Sequence, residues 1–173
     1  MKVAWVLLAT IAAVAVQTTL DRWFRAGAVD LVLVVVVYNA LASGRVSGLL
    51  TGSFAGLVQD ALSGGVLSGG VIGIGGLSKT VIGFLTGIAG TQFIVSHAAS
   101  RFAVFFLATL ANAVVFMGLY ELLGLRHFGT PFARVAGQGL GNGVVGVVAF
   151  TLTELLPAAV ERRRSARAGR IRR

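Results

Sequence analysis

The sequence contains no cysteine, only two prolines and few charged residues. The absence of cysteine excludes disulfides, thiol nucleophiles, iron–sulfur clusters and thiolate zinc sites. Charged residues make up 12% of the 173 residues, against roughly 25% in soluble domains, and 56% of the residues are hydrophobic. This composition indicates an integral membrane protein with no room for a second, soluble domain.

The apolar runs are continuous, which favours membrane-spanning α-helices. The first run carries Ala13, Val14 and Ala15, which resemble a signal-peptidase site, but the later runs are equally apolar, so we predict an uncleaved first helix. We predict an all-α integral membrane protein with one transmembrane domain, residues 1–160. Its six transmembrane helices are expected at residues 3–20, 26–43, 46–62, 71–95, 102–123 and 135–156.

Much of the formal net charge of +9 lies in residues 161–173, which contain seven arginines and one glutamate. We interpret this segment as a basic cytoplasmic tail rather than a nucleic-acid site, and expect it to contact anionic lipid through Arg162, Arg163, Arg164 and Arg167. Basic residues favour the cytoplasmic side of a membrane, so six helices place both termini in the cytoplasm.

A stripe of small residues is the main feature of the third predicted helix. Gly44, Gly48, Gly52, Gly56 and Asp60 recur every four residues and therefore share one helix face. Such a face lets two membrane helices approach closely. Two interpretations stay open: packing within this chain, or a groove in which Gly48, Gly52 and Gly56 hold the helix of a partner protein.

Five polar or charged residues interrupt the apolar helices and are expected to be buried. A charge inside a membrane needs a partner or a water-filled pocket, so an ion pair between Asp60 and Lys79 is plausible. Asp30 is expected near the membrane interface, at the positive end of the second helix. Residues 63–70 are expected to form a loop or a re-entrant dip. The five buried residues are Asp60, Lys79, Asn112, Gln138 and Asn142.

Two motifs resemble nucleotide sites without their context. The run from Gly73 to Thr80 resembles a phosphate-binding loop, but Ser78 replaces the required glycine; the run from Gly141 to Gly146 fits a dinucleotide fingerprint, but no strand precedes either motif. The two histidines are expected on opposite membrane faces and cannot share a metal. We therefore predict no cofactor, no metal site, no catalytic residue and no enzymatic activity.

A loose pattern over nearly the whole chain resembles the bacterial rod shape-determining MreD family. Its residues are Gln17, Asp30-Leu31, Tyr38, Gly48, Gly52, Gly56-Leu57, Asp60, Leu62-Ser63-Gly64 and Ile82-Gly83-Phe84-Leu85. The resemblance implies a fold like the substrate-binding S component of energy-coupling-factor transporters. It also implies the bacterial inner membrane and a scaffold role in cell elongation: binding of MreC, with RodA, a penicillin-binding protein and MreB as indirect partners.

Two alternatives remain from the residues themselves. The polar set, together with Asn39, could line the pocket of a small-molecule (vitamin-type) binding subunit of a membrane transporter. A proton-coupled transporter would require Asp60 to titrate.

Overall fold

In the computed structural model, the described part of the chain folds into six α-helices and contains no β-strand. The backbone is described for residues 2–24, 29–62, 71–92, 97–125, 128–129 and 132–171, and side chains for 4–19, 29–62, 71–92, 97–125, 128–129 and 132–155. The prediction of an all-α chain with six helices is confirmed for these residues. The helices are α1 (Lys2–Phe24), α2 (Leu31–Ser43), α3 (Arg45–Leu62), α4 (Ile74–Gln92), α5 (Ala98–Leu122) and α6 (Phe132–Ile171).

The short helix α2 lies at the centre of the bundle and contacts the five other helices. Its 13 residues make about 20 Å of helix, less than the roughly 30 Å hydrocarbon core of a bilayer. The predicted start at residue 26 is wrong, because residues 29 and 30 are not helical and Asp30 caps α2. At the other end Gly44, with φ +88°, turns the chain into α3.

The glycine stripe of α3 packs against α4 of the same chain. A Cβ atom at Gly48, Gly52 or Gly56 would lie within 3.0 Å of backbone atoms of α4, and Gly83 on α4 is equally close to Gly48. The two backbones therefore touch, as small-residue stripes permit in membranes. The hypothesis that Gly48, Gly52 and Gly56 hold a partner helix is wrong in this arrangement, because α4 occupies that face.

Helices α5 and α6 pack through phenylalanine rings that lie on glycines. A Cβ atom at Gly143 or Gly146 would clash with the ring of Phe102 or Phe105. Gly143 and Gly146 belong to the motif that resembles a dinucleotide fingerprint. Helix packing therefore accounts for these two glycines without a nucleotide.

Helix α6 is longer than predicted. Its expected end at residue 156, before Pro157, is wrong, because the helix continues to Ile171. Proline removes one intrahelical hydrogen bond and strains the preceding turn, but it does not by itself prevent the helix from resuming. The basic segment is thus helical up to Ile171, while the side chains of Arg162, Arg163, Arg164 and Arg167 lie outside the described residues.

Two of the described helices, Ala98–Leu122 and Phe132–Leu155, are long and apolar enough to cross a membrane. α3 and α4 contain many glycines and polar residues, and α2 is short. The buried core centres on α2, where Leu33, Val34 and Val37 meet Ile82 of α4 and Phe105 of α5.

Candidate functional site

The non-helical residues before α2 are held by a glutamine of α1. Gln17 lies on α1 with 5% of its surface exposed. Its Nε2 donates to the carbonyl oxygen of Val29 at 3.0 Å, and its Oε1 accepts from the Leu31 N–H at 2.9 Å. These bonds satisfy backbone groups on both sides of Asp30 that no helix partner reaches. Gln17 therefore fixes the backbone of Asp30 inside the bundle.

Asp30 performs two tasks with one carboxylate. Its Oδ1 accepts from the Leu33 N–H at 2.9 Å, which caps α2. Its Oδ2 lies 3.0 Å from Nζ of Lys79 on α4, and the side chains of Lys79 and Asp30 are 6% and 11% exposed. Because the positive end of α2 and the ammonium both face this carboxylate, the negative charge is compensated twice.

Asn142 connects the same point to α5 and α6. Its Oδ1 accepts from the Asp30 N–H at 2.8 Å, and its Nδ2 donates to Oγ1 of Thr109 at 2.9 Å. Asn142 and Thr109 are each 1% exposed. The network of Gln17, Asp30, Lys79, Thr109 and Asn142 thus joins α1, the start of α2, α4, α5 and α6.

Asp60 does not pair with Lys79; the suggested Asp60–Lys79 ion pair is wrong because each residue has a different partner. Oδ2 of Asp60 accepts from the N–H of Gly73 at 2.9 Å and of Gly76 at 3.1 Å. Gly73 has φ +110° and precedes α4, so Asp60 of α3 caps the positive end of α4. A phosphate in a nucleotide-binding loop would use such backbone groups. Here the protein's own carboxylate takes them.

A second ion pair joins α5 and α6 away from this network. Arg101 makes a two-pronged contact with the Glu154 carboxylate, in which Nη1 donates to Oε2 at 2.9 Å. The Arg101 guanidinium also lies 4.8 Å from the centroid of the Phe150 ring, which in turn packs against Tyr38. This contact ties the start of α5 to the late part of α6 and to α2.

Residues 1–156 match the protein family described as rod shape-determining protein MreD. The match covers most of the 173 residues. The chain belongs to the MreD family. No curated protein and no solved structure matches it. Family membership assigns it to membrane-associated proteins that determine rod shape, and this family is not a known enzyme family.

The polar residues named for a ligand pocket in this MreD family member have separate roles in the described part of the chain. Lys79 and Asn142 belong to the network, and Asp60 caps α4. Oδ1 of Asn112 is buried with no hydrogen-bond partner among the described residues, and Gln138 is half-buried one turn before Asn142. Only Asn39 of this set lines one of the two cavities described below. Residues 63–70, predicted as a loop or re-entrant dip, lie outside the described residues.

Sequence reasoning missed Asp30, Gln17 and Thr109 as members of one network. Asp30 before an apolar run is a recognisable helix cap, and the capping itself is confirmed. The expectation that Asp30 lies at the interface rested on the predicted membrane span of residues 26–43. Because α2 of this MreD family member is short, its capped end lies among other helices, where it meets Lys79.

Two of the cavities between the described helices have the size of a small-molecule site. One, of about 480 Å³, is bounded by α1, α2 and α3 and has polar residues in its lining, among them Asn39, Ser47 and Thr51. The other, of about 350 Å³, lies between α4 and α5; apart from Thr86, its lining is apolar, including Ala89, Ala108 and Ala111. Both volumes fall in the range of about 300–1,000 Å³ that is usual for small-molecule sites.

Proposed function

We propose that this chain is a non-catalytic membrane scaffold of the peptidoglycan-synthesising machinery that elongates rod-shaped cells, and that it binds MreC, a single-span membrane protein, by helix packing. RodA, a penicillin-binding protein and MreB would be reached indirectly. The chain would lie in the bacterial inner membrane as a multi-pass protein with both termini in the cytoplasm. The observation that carries the proposal is the family match over residues 1–156.

The surface of the bundle supports a location in lipid. Only 17% of the apolar window of α5 is buried, although its mean hydropathy is 2.2. A core helix of a soluble protein would be mostly covered, so this surface needs a non-aqueous cover. Large apolar side chains are also exposed on α1, α3 and α6, for example Trp5, Leu50 and Val148.

The way in which the chain uses its charges supports a scaffold. Asp30 and Lys79 neutralise each other, Asp60 caps α4, and Arg101 binds Glu154. No cluster of three potential metal-binding side chains occurs within the described residues. Each of the charged groups named above has a partner, and each contact holds two helices together. A scaffold needs this property.

Because α4 occupies the glycine stripe, we place the partner helix in the groove between α4 and α5. Thr86 and Ala89 of α4 face Ala108 and Ala111 of α5 across this groove. Small residues on both walls let a third helix approach closely, and in lipid this packing provides much of the association energy. MreC is expected to place its membrane helix here.

Co-purification tests the proposal. The tagged chain is co-expressed with the MreC of the same cell, extracted in a mild detergent, and the recovered MreC is quantified. Ala111→Phe fills the groove and is expected to reduce recovery at least fivefold. Ala103→Phe, at an exposed position of α5 outside the groove, is the matched control and should recover MreC like the wild type.

Two outcomes count against the proposal. If the wild-type chain recovers no MreC, the scaffold role is wrong. If Ala111→Phe and Ala103→Phe recover equal amounts, MreC binds the chain on another surface.

A further inference from the structure

The cavity between α1, α2 and α3 has a polar floor whose hydrogen-bonding capacity the described residues use only in part. Asn39 is 4% exposed and Thr51 is 6% exposed. The amide Nδ2 of Asn39 donates to Oγ of Ser47 at 2.8 Å and to Oγ1 of Thr51 at 2.6 Å. Both hydroxyls therefore act as acceptors in these bonds, and their own protons need acceptors elsewhere.

Within the described part of the chain the two hydroxyls make no further hydrogen bond. Neither the Ser47 nor the Thr51 hydroxyl donates to any described residue, and Oδ1 of Asn39 accepts from none. Turning the amide by 180° would let Oδ1 accept both hydroxyl protons, but it would then leave the two N–H donors unpaired. In either orientation the buried Asn39 amide keeps an unused hydrogen-bonding group beside the cavity.

The walls of the cavity are apolar and open to the outside of the bundle. Leu7 of α1 and Leu50 and Phe54 of α3 line it and are 39%, 62% and 40% exposed. If the exposed surface faces lipid, as the proposed function requires, the opening leads directly into the bilayer. An occupant therefore needs a hydrogen-bonding part and an apolar part.

We propose that this cavity binds one glycerophospholipid of the surrounding bilayer. Ester carbonyl oxygens are free acceptors, and they would receive the protons of Ser47 and Thr51. One acyl chain would lie along Leu7, Leu50 and Phe54. The Oδ1 atom of Asn39 would accept from a head group that carries a donor, such as the ammonium of ethanolamine or the hydroxyls of glycerol.

A partner helix fits this floor less well. The backbone groups of a membrane helix already bond to one another, so a helix placed here would pair the hydroxyls of Ser47 and Thr51 only if it carried polar side chains at this depth. The lipid, by contrast, offers acceptors that have no competing partner inside the bilayer. The polar floor thus distinguishes this cavity from the α4–α5 groove.

Native mass spectrometry of the full chain tests the inference. The chain is reconstituted into vesicles of phosphatidylethanolamine and phosphatidylglycerol, extracted in a mild detergent and released from the micelle. The wild-type chain should retain one lipid in most molecules. Ser47→Phe fills the cavity and should lower the bound fraction about tenfold, whereas Ala103→Phe, on the exposed surface of α5, should retain lipid like the wild type.

Thr51→Val provides a second variant that keeps the shape of the side chain. It removes one proton donor for the lipid, together with one acceptor of the Asn39 amide, and should also lower the bound fraction, by about threefold. The inference is overturned if the wild type retains no lipid, in which case water fills the cavity, or if Ser47→Phe and Thr51→Val both retain as much as the wild type. Because the experiment uses the chain without MreC, its failure leaves the scaffold proposal to be decided by co-purification.

Discussion

Nζ of Lys79 lies 3.0 Å from Oδ2 of Asp30, and the two residues are only 5% and 7% exposed. The pair joins the second turn of α4 to the N-cap of α2. The two charges are not equivalent, because Asp30 also accepts a hydrogen bond from the Leu33 N–H, whereas Lys79 has no second anionic partner among the described residues. Losing the Asp30 carboxylate therefore has a different consequence from losing the Lys79 ammonium.

Asp30→Asn is expected to be the more harmful of the two single substitutions. Asparagine still caps α2, but it leaves the Lys79 ammonium buried without an anion, which costs about 3–5 kcal/mol of unfolding free energy. Lys79→Met should cost less, because the carboxylate keeps the Leu33 N–H and the positive end of α2. Denaturant titration in detergent micelles measures both; an equal or reversed order would contradict this assignment.

Gly52→Ala is expected to force α3 and α4 apart. The added Cβ would meet the backbone of Lys79 and Thr80, and overpacking of this kind costs about 1–3 kcal/mol. Gly118→Ala on α5 is the matched control, because nothing lies within 4 Å of its Cβ. Alanine should stabilise that exposed helical position by up to about 1 kcal/mol. Thermal unfolding of the two variants should shift in opposite directions, and a stable Gly52→Ala would disprove the close contact.

Asp60→Ala is expected to loosen the start of α4. The N–H groups of Gly73 and Gly76 lose their acceptor, at a cost of about 1 kcal/mol as for other helix caps. Asp60→Asn keeps an acceptor and loses only the attraction between the carboxylate and the helix end, so its effect should be smaller. Hydrogen exchange at Gly73 and Gly76 reports the difference. Unchanged protection in Asp60→Ala would show that the cap does not hold α4.

Thr109→Val tests the link between α5 and α6. Valine has the same shape but removes the acceptor of the Asn142 Nδ2 group, and an unsatisfied buried donor costs about 1–3 kcal/mol. Thr151→Val is the control, because Thr151 is exposed and its hydroxyl bonds only to Val147 O of its own helix. If the two variants have the same unfolding free energy within error, the hydrogen bond from Asn142 to Thr109 does not stabilise the fold.

The helices of this protein could be predicted because their signals are local. Asp30 before an apolar run indicates a cap, and the glycines from Gly44 to Gly56 indicate a face for close packing. Both features are present in the structure. The sequence also indicated that Lys79 needs a partner or a water-filled pocket, because an unpaired charge in an apolar bundle is costly.

The identity of the partners could not be predicted, because it depends on the depth at which each helix starts. The predicted span of residues 26–43 placed Asp30 at the interface and left Asp60 as the nearest acid to Lys79. The structure shortens α2 and brings its capped end into the bundle. The glycine stripe likewise does not say whose helix it meets, and here that helix is α4.

We propose that the buried charges hold a scaffold together and perform no chemistry. The double variant Asp30→Asn with Lys79→Met tests it most directly, because it removes both charges together. The asparagine still caps α2, and its unpaired amide N–H costs less than the lone ammonium that Asp30→Asn alone would leave. Cells whose own gene is replaced by this variant should contain normal amounts of the protein in their membranes and should grow as rods. A variant that folds and accumulates normally but leaves the cells round would contradict the claim, because the charges would then be needed for function itself.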